Sequence, residues 1–102
     1  MVNKAVLVVR WDKPAYASLQ RIYEYIRQDS PVNADKVRKE ILKITSGLAD
    51  RPERYPPDKF KKNNPGNYRA FEKYSYRVAY RYTEKEIKIL SVRHVKQEPK
   101  EY

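Results

Sequence analysis

The chain has no cysteine, a single histidine and only two glycines. Without cysteine there is no disulfide framework, no thiolate nucleophile and no thiolate metal site. One histidine excludes a two-histidine ribonuclease mechanism and argues against a zinc centre. Long apolar runs are also missing. The stretch MVNKAVLVVRW is too short for a signal h-region or a membrane span, so the expected location is the cytoplasm, with no membrane partner.

Positive charge is abundant. Lysine and arginine number 23 against 13 acidic residues, a net charge of +10. A domain this small does not need that charge to stay soluble. Phosphate backbones, anionic membranes and acidic proteins are the usual partners of such a surface. Because phosphate binding is chiefly electrostatic, nucleic acid or an assembly containing it leads, with a plainly solvated surface as the bland reading. At 102 residues, with periodic apolar positions and no internal repeat, the chain reads as one folded domain over 1–102.

Lys4–Trp11 is β-branched and almost continuously apolar, which predicts a strand covered on both faces or central in its sheet. Asp12 can cap the next element, and Pro14 suits a first helical turn. Ala15, Leu19, Ile22 and Ile26 then recur at helical spacing, predicting an amphipathic helix that ends near Asp29. Ser30-Pro31 repeats the start pattern, and Ala34, Val37, Ile41, Ile44 and Leu48 form the stripe of a second helix. So short a break predicts an antiparallel helical hairpin, its apolar face covered by a sheet.

From Gly47 to Gly66 four prolines and many basic residues predict a loop, which Tyr55 and Phe60 could pin to the body. Tyr68–Lys73, Tyr76–Tyr82 and Glu86–His94 follow as three strands on tight turns, a meander. Alternation puts Val78, Tyr80 and Tyr82 on one face of the third strand and Arg77, Ala79 and Arg81 on the other. The fold class is therefore α+β: an N-terminal strand, a two-helix hairpin, then a three-stranded antiparallel meander in one curved sheet.

Arg77 and Arg81 share a face on this reading, and Arg69 can project beside them. Converging guanidinium groups suit phosphate or carboxylate, although arginines on an open β face are commonly just solvated. His94 comes where the last strand runs out, and histidine is the side chain that titrates near neutrality. VKQEPKEY lacks apolar periodicity and contains Pro99, so a disordered end is the bland reading. If it folds back, Tyr102 reaches the basic face beside His94.

The order of these pieces resembles the RelE/ParE superfamily of type II toxin–antitoxin toxins, among them plasmid stabilisation proteins. The resemblance spans the whole chain: a strand ending in Trp11, LQRIYEYI, SPxxA, then YR, YRVAYRY, IKILSVRH and EPKEY. It implies a toxin held inactive by a cognate acidic antitoxin. RelE-like members are ribosome-dependent mRNA endonucleases, whereas ParE-like members inhibit DNA gyrase without cleaving nucleic acid. On the nuclease branch the phosphate-binding arginine maps to Arg77 and a second-strand basic residue to Arg69. Phe71 stands where some members carry a second basic residue, which puts the lysine-rich mechanism in doubt and leaves a histidine-using one open. The catalytic set implied is Arg77, His94, Tyr102 and Glu98, with Arg69, Arg77, Arg81, Arg93 and Lys96 on phosphate and no metal or cofactor. The alternative is the gyrase inhibitor, in which His94 is incidental.

Overall fold

The computed structural model describes residues 7–97 and 100–102. Its elements are β1 (Val8–Trp11), α1 (Lys13–Asp29), α2 (Pro31–Gly47), β2 (Tyr68–Lys73), β3 (Tyr76–Tyr82) and β4 (Glu86–His94). Both helices carry the proline in their first turn that the sequence predicts. Asp12 does occupy the N-cap of α1, but its side chain makes no capping bond and pairs instead with Lys88 at 3.3 Å. Ser30 serves both helices: its N–H donates to the Ile26 carbonyl, and its hydroxyl accepts the Asn33 N–H at 3.2 Å. One residue that closes α1 and caps α2 forces the chain to reverse there.

The four strands form one sheet in the order β1-β4-β3-β2. β2, β3 and β4 are the expected antiparallel meander, while β1 runs parallel to β4. The first strand is thus neither central nor covered on both faces. It is an edge strand, and Val8 is 57% exposed. A run of apolar residues signals a strand without revealing how many neighbours it has. The segment Lys4–Val6 of that expectation lies outside the described residues.

The helical hairpin covers one face, and the core lies beneath it. Leu19 of α1 and Ile41 of α2 meet Val78, Tyr80, Ile87 and Ile89, all buried. Tyr80 is wholly enclosed and its hydroxyl donates to the Pro52 carbonyl, tying the loop after α2 to the sheet. Burial is the main cause that pushes the Tyr80 phenol up to about 12.

One irregularity governs which side chains share a face. Ala79 pairs with Ser91 but Tyr80 pairs with Ile89, so Leu90 is an extra, unmatched residue in β4. Such a bulge reverses the alternation beyond it. Ile87 and Ile89 face the helices before it, and Val92 and His94 face them after it.

Candidate functional site

The face of the sheet away from the helices carries Arg77, Ala79 and Arg81 of β3, as alternation predicts. Cross-strand partners share a face, so Glu72, opposite Arg77, and Tyr68, opposite Arg81, join them from β2. β4 adds Arg93 opposite Arg77 and Lys88 opposite Arg81. This face is not simply wet. Part of the loop before β2 and residues 100–102 fold across it, leaving a cleft of about 350 Å³.

Arg77 is the centre of that arrangement. One nitrogen of its guanidinium donates to Asp58 at 2.8 Å and the other to Glu72 at 3.0 Å. The ring of Phe60 lies 4.9 Å from the guanidinium carbon, a cation–π distance. Asp58 is nearly inaccessible at 3% exposure, and it accepts three bonds: from Arg77, from the Phe60 N–H at 3.0 Å and from the Tyr102 hydroxyl at 2.7 Å. Burial alone would raise the Asp58 carboxyl. The bonds from Tyr102, Arg77 and Phe60 outweigh it and hold the group below its ordinary range. Burial and donation to Asp58 together push the Tyr102 phenol upward.

Local chemistry explains why Asp58 arrives there. Asn64 donates to the carbonyls of Asp58 (3.3 Å) and Tyr68 (2.8 Å), while its own oxygen accepts from Gly66 N–H and Tyr68 N–H. This knot needs Gly66 at φ 113°, a backbone region that glycine reaches without strain. The Asp58 N–H also bonds the Tyr68 carbonyl at 2.8 Å, so the loop lies against the edge strand β2. Tyr102 N–H donates to the Phe60 carbonyl at 3.0 Å, and the Lys62 N–H to the Tyr102 carbonyl at 2.6 Å. The end of the described chain is thus held like a short strand, with Tyr102 edge-on to Tyr68 at 6.1 Å.

The remaining candidates separate. Arg93 is exposed and lines the same cleft as Arg77, and Arg81 shares the face with its Nε buried and unbonded. Arg69 does not join them, contrary to expectation. It pairs with Tyr80, a core residue, so it projects to the helix side. There its guanidinium donates to the carbonyls of Glu53, Tyr55 and Gly66 and pins the loop. The core position of Phe71 carried that information, because residues two apart on a strand share a face.

His94 is on the helix side as well, opposite Tyr76 and edge-on to its ring at 5.3 Å. The sheet therefore stands between His94 and Arg77, and Tyr102 reaches Arg77 and Asp58 rather than His94. Nδ1 of His94 accepts the N–H of Lys96 at 3.0 Å, which leaves Lys96 exposed in the turn after β4. Glu98 lies outside the described residues. Nothing in the sequence pattern singled out Asp58: it is one acid in a basic loop, and only the folded loop brings it to Arg77.

Residues 9–99 match the family described as the ParE toxin of the type II toxin–antitoxin system parDE. The chain belongs to the ParE toxin family. Among solved structures, a chain of the chromosomal ParDE toxin–antitoxin system from P. aeruginosa aligns with a TM-score of 0.68 at 23% identity. The alignment covers 87% of this chain and 96% of that one. A chain of the toxin–antitoxin complex RelBE2 from Mycobacterium tuberculosis aligns at 0.62 and 18% identity, covering 90% and 94%. Both share the fold with this ParE-family toxin. Among curated proteins, none matches it in sequence. No helix among its described residues is long and apolar enough to cross a membrane.

Proposed function

We propose that this ParE-family toxin, the toxin of a type II toxin–antitoxin module neutralised by a cognate antitoxin, acts by binding its target without cleaving nucleic acid. The target implied by the ParE-like resemblance is DNA gyrase. One observation carries this reading: Arg77 is matched by Asp58 and Glu72, while the chain's only histidine lies across the sheet from it. Attack of a ribose 2′-hydroxyl on phosphate needs an unmatched cation and an acid or base within hydrogen-bond reach of one another. A guanidinium already saturated by two carboxylates has no strong claim on a phosphate.

The ribosome-dependent mRNA endonuclease remains the second reading, supported by Arg77, Arg93 and Tyr102 lining one cleft on a basic face. Induction of the toxin separates the two. Binding predicts intact transcripts, loss of gyrase supercoiling by the purified toxin and an SOS response, with His94→Ala as toxic as the parent. Codon-placed mRNA cleavage that disappears in Arg77→Ala and His94→Ala would reverse the assignment.

A further inference from the structure

Helix α2 divides its side chains sharply. Ala34, Ile41 and Thr45 are buried, so its apolar stripe is used up by the core. Lys36, Lys39 and Lys43 are exposed at i, i+3 and i+7, and so lie in one row on the solvent side. Seven residues of helical rise make that row about 10 Å long. None of the three enters an ion pair among the described residues.

The acids of this helix do not neutralise the row. Asp35 is engaged with α1, where it accepts the Tyr23 hydroxyl at 3.1 Å. Glu40 enters no ion pair among the described residues. Like charges three and four residues apart on a helix repel, so the fold gains nothing from this arrangement. Arg81 and Arg93 of the open face enter no ion pair either. Arg93, however, shares its cleft with Asp58 and Glu101, and the Nε of Arg81 is buried. The α2 row is linear and exposed.

The β2–β3 turn lengthens it. Tyr74 and Ser75 are the central residues of that turn, at φ 51° and 69°, where a bulky side chain is disfavoured. Tyr74 is nevertheless held there, with Lys36 over its ring at 5.4 Å and Lys73 at 4.8 Å. One ring thus gathers two ammonium groups, and Lys73 is likewise outside any ion pair among the described residues. Backbone strain of this sort clusters at binding sites.

We propose that this row, together with Lys73, binds the phosphate backbone of duplex DNA without reading its sequence. Phosphates of one strand recur every ~3.4 Å along the axis, so a row of this length meets about three of them. Lysines are point charges, suited to backbone contact rather than to bidentate reading of base edges. A single strand with splayed bases fits less well, because the ring of Tyr74 is already taken by two lysines and gives no stacking platform. A bilayer fits less well too, since α2 has no apolar face left to lay into it. The proposal goes beyond gyrase inhibition, which needs no contact between toxin and DNA, and it stands whatever the toxin inhibits.

The test titrates the full chain into a fluorescein-labelled DNA duplex of about 20 base pairs, followed by anisotropy between about 50 and 200 mM salt. Lys36→Ala, Lys39→Ala and Lys43→Ala combined should weaken binding at least about tenfold at low salt. The slope of log K against log salt should become shallower by about 3, one for each lost phosphate contact. Alanine favours the helix, so the fold is kept. Lys13→Ala, Lys59→Ala and Lys85→Ala combined remove the same charge at exposed positions elsewhere, and should change affinity within about threefold. Equal losses in the two triple variants would overturn the proposal, because net charge alone would then explain binding. So would an unchanged salt slope in the first variant, or displacement of the duplex by a poly-glutamate peptide as readily as by unlabelled DNA.

Discussion

Arg77 on one face of the sheet and Arg21 and Lys36 on the other are cations in opposite pairing states. On the open side Arg77 is matched by carboxylates, and Tyr102 donates to a buried one. On the helix side Arg21 and Lys36 enter no ion pair among the described residues and stand beside tyrosines that reach solvent. The first arrangement spends its polar groups on holding the loop and chain end in place. The second leaves them available. Positive charge counted along a sequence therefore says little about where a partner lands; the pairing state of each cation says much more.

The sharpest way to break that contrast is to remove Asp58. Asp58→Ala leaves a guanidinium facing an emptied, buried site, and we expect about 3–5 kcal/mol of lost stability in denaturant unfolding. Arg21→Glu on the other side should cost within about 0.5 kcal/mol. Similar losses for the two would erase the distinction.

Changes of pH probe the same latch. The Asp58 carboxyl is depressed in the folded state, so its contribution is present above about pH 4 and is lost as the pH falls below that. The phenols of Tyr80 and Tyr102 are raised, so stability should be intact below about pH 10 and decline as the pH rises past it. Urea titrations at pH 8, 10 and 11 would show this, and a flat profile would contradict the burial and the bond to Asp58 that raise Tyr102.

Tyr102→Phe should cost about 1 kcal/mol, the net worth of one hydrogen bond, and should flatten part of the alkaline decline. An unchanged midpoint would make the chain end a spectator. The smallest effect expected is a gain. Tyr74→Asn with Ser75→Gly relieves two left-handed residues and should stabilise by about 1 kcal/mol, read as a higher thermal midpoint. An unchanged or lowered midpoint would mean that the left-handed pair carries no strain.

The helices and the meander were legible because their apolar spacings are regular and their turns are marked by Ser30-Pro31 and short polar breaks. The open-face positions of Arg77 and Arg81 were legible for the same reason. Three things were not. The edge position of β1 depends on partners that a local pattern cannot reveal. The approach of Asp58 depends on the Asn64 knot, a set of side-chain bonds within an irregular loop. The side taken by His94 depends on Leu90: strict alternation from Ile87 and Ile89 would put His94 beside Arg77, and one unmatched residue sends it to the other side.

That extra residue has an evolutionary corollary. Inserting or deleting a single codon in the middle of β4 transfers every later side chain of the strand across the sheet, with no functional residue altered. Relatives of equal composition and nearly equal length can thus expose different terminal residues to the same partner. Comparing such chains by residue identity at aligned columns, without tracking gaps in this strand, would group together proteins whose histidines face opposite ways.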